Sequence, residues 1–480
     1  MPSTTYQAPL LFIAGKFRPG GDGSCGVVRN PATGEVLAEV PRASKQDLDD
    51  ALQASAGAFE SWRYTPAIER AAILRRTADI IRQRSATLAR LMTLEQGKTL
   101  SDSLIEIAYV AENFDWYAAE ALRANGRVMP QRMRGARQMV LPQPIGPVAA
   151  FTPWNFPGAV PARKIAPALA AGCTVIIKPA EETPASALAL AQALSDAGLP
   201  PGVLNVVFGV PAEVSAHLIR SEVIRKVTFT GSTAVGRQLG LLAAEGIKPC
   251  TLELGGHAPV LVFDDADLER TIATCIQGKT RNAGQVCTSP TRFIVQAGIH
   301  DKFVKGFGAA MDDLIVGPGL ESSSQMGPLA NSRRVDAIEE LVTDALSQGG
   351  RLVAGGRRAR EQGNFLRPTL VADMPAAAKA MHIEPFGPLA LVTRFEGIEE
   401  GLIEAHRLNY GLAAYGFTSS AATAVRVADE LHAGGIGINS FAISQVEAPF
   451  GGLKDSGYGT EGGHEGIDAF MFPKHVHHVT

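Results

Sequence analysis

From Gly146 onward the chain alternates short β-rich runs with helical ones: GPVAAFTP, PARKIAPALAAG, TVIIKPA, TPASALALAQALSDAG, VLNVVFG, an amphipathic segment from Pro211, KVTFT and TAVGRQLGLLAAEG. Such alternation specifies a parallel sheet with helices on both faces, because each parallel pair needs a crossover long enough to hold a helix. Sheets of this kind bind ligands beyond the carboxyl ends of their strands, which is where the loops KPAEETP and FTGSTAVG fall. A second alternating block, from APVLVF at Ala258 to GGIGINS at Ser440, predicts a second α/β lobe. The length, 480 residues, exceeds what one hydrophobic core usually organises and agrees with two lobes.

Upstream, to about Leu122, the pattern is helix-rich. KQDLDDALQASAGAFESW is followed by Thr65 and Pro66 as N-cap and first-turn proline of AIERAAILRRTADIIRQRSATLARLM, then by SDSLIEIAYVAENFDWYAAEAL. RVMPQRMRGARQMVLPQ and FMFPKHVHHVT read as strands outside both lobes, an edge for contacts between copies of the chain. No internal repeat or low-complexity stretch stands out.

A formal net charge of minus three, without a long single-sign run, gives nucleic acid no electrostatic attraction. The N-terminal MPSTTYQAPLLFIAGKF has an apolar patch far shorter than a membrane span and no basic residue ahead of it, so neither signal peptide nor membrane anchor is expected. The five cysteines, Cys25, Cys173, Cys250, Cys275 and Cys287, are scattered and never form a Cys-x-x-Cys pair. That argues against a disulfide framework and against a structural zinc or other metal site, and for free thiols in a cytoplasmic protein.

Cys287 in NAGQVCTSP poses a chemical question, since no histidine stands between His257 and His300. A thiol with a reference pKa of about 8.5 needs a base or a positive field to become a nucleophile; otherwise it is a small buried apolar group. The run Gly231 to Gly236 has phosphate-loop spacing, but Arg237 and Gln238 replace the required Lys and Ser/Thr, and no Gly-x-Gly-x-x-Gly follows any candidate strand. What remains is a strand-to-helix turn, either a bare glycine turn or a helix N-terminus able to hold a pyrophosphate. Read singly, Glu253 is a salt-bridged or solvated acid, Asn155 a helix cap, and Lys178 and Glu384 surface charges.

Together, TPWNFPG (152–158), IIKPAEETP (176–184), FTGSTAVG (229–236), LELGGHAP (252–259), NAGQVCTSP (282–290), EPFGP (384–388) and PFGGLKDSG (449–457) resemble the aldehyde dehydrogenase superfamily, in order and nearly end to end. The resemblance implies an α/β fold with a Rossmann-like cofactor lobe (residues 1–122 and 142–252), an α/β catalytic lobe (253–440) and a return segment (441–459). It also implies a small β oligomerisation element (123–141 and 460–480) and a homodimer or homotetramer. By the same resemblance Cys287 is the nucleophile, Glu253 the base acting through water, and the Asn155 side chain with the Cys287 N–H the oxyanion donors. Lys178 and Glu181 are placed at the ribose of NAD, with NADP the alternative, Ser232 and Gly231 at the pyrophosphate, and Glu384 at the nicotinamide ribose. Thr152, Pro153, Trp154 and Phe386 complete the cofactor site. Ser289 stands where some semialdehyde dehydrogenases carry a second cysteine, so no disulfide switch forms there.

Within the superfamily the chain is most similar to dehydrogenases of succinate, glutarate and 2-oxoglutarate semialdehydes. Arg163, Arg281 and Ser444 carry that likeness, because a substrate with a distal carboxylate needs fixed positive donors. Structural salt-bridge roles for the two arginines are the alternative. The run AVPAR, with Ala159 and Val160, departs from the bulkier run associated with the succinate enzymes and points toward a longer substrate. A general aldehyde dehydrogenase, a cofactor-independent thiol hydrolase and a catalytically silent binding protein are the rival readings.

Overall fold

The computed structural model describes residues 6–21 and 23–480; residues 1–5 of the expected cofactor lobe, and Asp22, lie outside the described residues. The first lobe is built on an eight-stranded sheet ordered Lys16–Arg18, Leu11–Ile13, Leu204–Val206, Val175–Lys178, Val148–Phe151, Lys226–Thr230, Cys250–Glu253 and Gly457–Tyr458. The five strands from Leu204–Val206 to Cys250–Glu253 run parallel, and the pairs toward either edge are antiparallel. Val148–Phe151 comes first in sequence among these five yet lies centrally, so the strand order reverses between it and Lys226–Thr230. That reversal opens a crevice at the carboxyl ends of the two strands.

The second lobe has a seven-stranded sheet ordered Arg351–Ala354, Thr369–Ala372, Leu389–Phe395, Pro290–Gln296, Ala258–Val262, Ala413–Phe417 and Gly435–Ile438. All its pairs are parallel except that of Arg351–Ala354 with Thr369–Ala372. Its strands are covered on both faces, as their nearly unbroken apolar runs require: Val260 and Val262 pack into one core cluster and Leu261 into the cluster on the opposite face. The larger core of the first lobe joins its sheet to the helices Lys45–Trp62, Ala67–Gln83 and Leu100–Glu120.

A third sheet pairs Met471–Val479 with Ala136–Pro144 over nine registered positions, and Ala136–Pro144 with Arg127–Met129. Of the stretch 460–480, residues Glu465–Asp468 are a short helix, and the strand begins only at Met471.

Local departures from the sequence reading have local causes. The run from Ala67 is two helices, not one: Arg84, at φ −98° and ψ 6°, ends Ala67–Gln83 and redirects Ser85–Gln96 so that Leu88, Ala89 and Met92 bury. Pro66, at ψ 141°, lies outside the helix as its cap, one residue later than expected. The helix-rich first third also holds two hairpins, Leu11–Ile13 with Lys16–Arg18 and Cys25–Arg29 with Val36–Pro41. Among the described residues no helix is long and apolar enough to cross a membrane, and no cluster of His, Cys, Asp or Glu is placed to hold a metal.

Candidate active site

A cavity of about 550 Å³ lies where the crevice of the first sheet meets the loop ahead of strand Pro290–Gln296. Cys287 lines it from that loop, and the backbone leading there is strained: Asn282, Ala283 and Gly284 have φ of 47°, 52° and 72°. Such left-handed conformations persist for non-glycine residues only when surrounding contacts fix them. Asn282 supplies those contacts, its amide donating to Asn155 O at 2.8 Å while its Oδ1 accepts from Gln96 at 2.9 Å. Gln285 donates to Asn282 O and accepts from Ala330 N, each at 3.0 Å.

Cys287 is half-buried, and burial pushes its thiol up to about 12, with Arg163 opposing and Glu384 and Glu253 adding to the rise. The thiol therefore needs help to ionise. Glu253 ends the strand Cys250–Glu253, lines the same cavity and is buried with neither carboxylate oxygen hydrogen-bonded among the described residues. Burial and then Glu461 hold its carboxyl well above the usual range, while Lys164 and Arg163 pull it down. Behind it Lys164 is ion-paired with Glu461 and donates to Thr228 at 3.1 Å. Glu253 thus sits against a buried Lys164–Glu461 ion pair.

Asn155 donates from Nδ2 to Gln285 O at 3.0 Å, and its buried Oδ1 has no partner among the described residues. It does not cap the following helix. Glu106 does so, accepting from Gly158 N at 2.8 Å and Ala159 N at 3.0 Å, while Lys98 binds Glu106 at 2.5 Å and Asn155 O at 2.8 Å. With one amide N–H engaged, the second N–H of Asn155 is left for a ligand on the cavity side.

Pro153, Trp154, Gly231, Ser232, Glu384 and Phe386 all line the cavity. Ser232 caps helix Thr233–Glu245 by accepting from Val235 N at 3.4 Å, leaving the other first-turn N–H groups for an anion. A Cβ on Gly231 would stand 2.4 Å from Phe229, so only glycine leaves the backbone this close to the crevice. Glu384 accepts from Gly256 N at 3.2 Å, and burial pushes its carboxyl up to about 7 against the pull of that bond, Arg334 and Lys279. Phe386 meets Trp154 edge-on at 5.6 Å. Thr152, Lys178 and Glu181 stand apart from this lining. Lys178 is ion-paired with Glu181 at 2.6 Å at the carboxyl end of Val175–Lys178, and the buried Thr152 hydroxyl has no partner among the described residues. An open helix N-terminus, an accepting carboxylate and the Thr152 hydroxyl fit a dinucleotide laid across the strand ends.

At the opposite end Arg163 is 9% exposed and forms no ion pair among the described residues. It donates to Tyr109 Oη and, at 2.7 Å, to Ser444 Oγ, and its guanidinium lies 4.4 Å from the ring centre of Phe450. Arg281 is more exposed and lies over Phe156 at 5.4 Å. The structure therefore gathers Cys287, Glu253, Asn155, Arg163, Arg281 and Ser444 around one cavity. Sequence reasoning missed Tyr109, Lys98, Glu106, Lys164 and Glu461. One signal was available: Lys164 sits in PARKIAPALAAG, a helix that is apolar apart from Arg163 and buries nearly every residue.

The family model for the aldehyde dehydrogenase family matches residues 19–476. A 4-(hydroxymethyl)benzenesulfonate dehydrogenase of Comamonas testosteroni is 49% identical over the whole of both chains. The NADP-dependent succinate-semialdehyde dehydrogenase of Escherichia coli is 43% identical, covering 97% of this chain and 96% of its own. The crystal structure of succinate-semialdehyde dehydrogenase from Burkholderia pseudomallei superposes with a TM-score of 0.97 at 42% identity, covering 100% of this chain and 99% of that one. Motif order and the two-lobed fold agree with these likenesses: the chain belongs to the aldehyde dehydrogenase family.

Proposed function

We propose that this enzyme oxidises an aldehyde bearing an anionic group at its far end to the corresponding acid, through a thioester on Cys287. The observation that carries the reading is Arg163, a buried cation without a carboxylate partner among the described residues, facing the cavity that Cys287 lines. An unpaired buried charge is costly unless a ligand of opposite sign completes it. NAD(P), when bound, supplies a positively charged ring and the acceptor for the hydride leaving the substrate carbon.

Glu253, acting through a water, takes the Cys287 proton and passes it to solvent as the sulfur adds to the carbonyl carbon, and the carbonyl π pair moves to oxygen. Asn155 and the Cys287 N–H donate to that oxyanion. Once the thioester has formed, Glu253 takes a proton from the attacking water, and the bond from carbon to the Cys287 sulfur breaks to free the acid.

Succinate and 2-oxoglutarate semialdehydes are the carboxylated candidates. A sulfonated aromatic aldehyde is a second reading, favoured by the rings of Phe156, Phe450 and Tyr109 on the cavity wall and by the benzenesulfonate relatives. NAD is preferred in this reading, because Glu181 beside Lys178 repels a 2′-phosphate. Cytoplasmic location and a homodimeric or homotetrameric state belong to the same proposal; the five free cysteines support the first and the small third sheet the second. The test follows reduced-nicotinamide absorbance with succinate semialdehyde, 4-formylbenzenesulfonate and butanal. Oxidation of an anionic substrate at least ten times more efficiently than butanal, only with cofactor, is expected from about 1.5–3 kcal/mol per charge-assisted contact. Equal use of all three leaves a general aldehyde dehydrogenase, and cofactor-independent acid formation a thiol hydrolase.

A further inference from the structure

Tyr415 stands in the strand Ala413–Phe417 of the second sheet, in an otherwise apolar run, and is 0% exposed. A tyrosine buried so completely needs a partner for its hydroxyl. It finds one in the nucleophile loop, donating from Oη to the Thr288 carbonyl at 2.7 Å, one residue beyond Cys287. Burial holds the phenol well above its ordinary value against the pull of that bond, so it stays a donor. Thr288 lines the cavity, and the ring of Tyr415 belongs to the apolar core of the second lobe.

The ring cannot swing away from Thr288. Phe441 meets it edge-on, with 4.5 Å between ring centres and 78° between planes, and also packs on Phe417 at 5.4 Å. Phe441 is itself seated over Gly278 of helix Leu268–Thr280, where a Cβ would stand 2.4 Å from its ring. On the other side Gly437, the cross-strand partner of Tyr415, makes room, since a Cβ there would stand 2.8 Å from Tyr415 Cδ1. Ahead of Cys287 the loop is held by Asn282 and Gln285; beyond it Lys279 donates to Ser289 Oγ and Pro290 O, each at 3.1 Å. Tyr415 holds the carbonyl between those two anchorages. Attack by a thiolate needs sulfur and carbonyl carbon in a fixed relation, and displacements well under an ångström already slow such steps.

We propose that Tyr415 is a positioning residue for the nucleophile: from behind the cavity wall its hydroxyl fixes the Thr288 carbonyl, and with it the geometry in which Cys287 attacks. The proposal rests on the thioester reading above.

The test follows the first turnover of the full-length wild type, Tyr415→Phe, Phe441→Leu and Cys287→Ala by reduced-nicotinamide absorbance. The substrate is whichever of succinate semialdehyde, 4-formylbenzenesulfonate and butanal the wild type oxidises fastest. NAD affinity by fluorescence titration and thermal midpoint are recorded for each protein. Tyr415→Phe keeps the ring and its packing and removes only the hydroxyl. Its first-turnover rate at saturating aldehyde should fall about tenfold, with half-saturating aldehyde and NAD affinity within about twofold of wild type. An unchanged rate beside a lowered thermal midpoint would leave Tyr415 a core residue and overturn the proposal. So would losses spread evenly over rate, half-saturation and NAD affinity. Should Tyr415→Phe fail to fold, Phe441→Leu, which leaves the hydroxyl but removes the ring that props it, must lower the same rate by about threefold or more; an unchanged rate there overturns the proposal too. Cys287→Ala that still oxidises aldehyde at the wild-type rate overturns the thioester reading itself, a result separable from anything Tyr415→Phe does.

Discussion

Cys287 and Glu253 are both buried in ways that disfavour their charged forms, so neither works alone. Cys287→Ala is expected to drop aldehyde oxidation below about one hundredth of wild type while NAD binding, followed by fluorescence titration, persists. Glu253→Gln should leave a hydride burst followed by slow turnover if deacylation limits, and no burst if thiol activation does; near-normal steady-state turnover removes Glu253 from the mechanism. Glu384 gives a pH prediction. In the proposed cofactor site its ionised carboxylate is the stronger acceptor for ribose hydroxyls, and its carboxyl is raised from 4.5 to about 7, so KM for the cofactor should climb as pH falls below about 7. Glu384→Gln should flatten that profile. The sign for stability runs the other way: with the folded value above the unfolded one, its contribution is complete below about 4.5 and is lost as pH rises through about 7. Cys287, Glu253 and Asn155 were legible in the sequence because each sits in a fixed local motif. Glu461 was not, since its partner Lys164 is 297 positions away and only the fold joins them. Tyr109 was hidden likewise, in a helix whose pattern announces only burial.

At the scale of elements, alternating blocks betray parallel strands because both faces of such strands are covered. The N-terminal hairpins escaped because Leu11–Ile13 and Cys25–Arg29 are short and paired near sheet edges or apart from both large sheets, where apolar alternation is weak. The turns are where single atoms decide. A Cβ on Gly255 would stand 2.5 Å from Glu384 Oε2, the tip of a side chain that can move. Gly255→Ala is therefore expected to leave the thermal midpoint near wild type but raise KM for NAD several-fold, a split that steady-state kinetics and calorimetry read together. Gly284→Ala contrasts with it. Its φ is 72° and its Cβ would meet the Gly387 carbonyl at 2.2 Å, so the loop carrying Cys287 must shift, with a loss of about 1–3 kcal/mol and of activity together. At the far loop, Glu181→Ser frees Lys178 from its 2.6 Å partner and should raise kcat/KM with NADP relative to NAD. A wild type already favouring NADP would show the repulsion argument to be mistaken.

For the whole molecule, the candidate active site forms where the lobes meet, since Glu253 comes from the first sheet and Cys287 from the loop ahead of a second-sheet strand. The third sheet adds nothing to that cavity, and its outer strands Arg127–Met129 and Met471–Val479 each pair on one side only. Val128 is 77% exposed, Val479 53% and Phe472 44%, so this edge shows water both open backbone groups and apolar side chains. An isolated chain with such an edge is prone to strand pairing, and assembly into a dimer or tetramer is the orderly way to cover it. Light scattering of the full-length protein should accordingly give twice or four times the 50.6 kDa chain mass. Val128→Lys together with Phe472→Lys should shift that mass toward the monomer without changing the NAD affinity of the distant crevice, because charges on facing edges repel and must be desolvated to pair. A wild type that runs as a monomer, or a double variant whose mass is unchanged, would relieve the small sheet of any role in assembly and leave its exposed residues as ordinary surface.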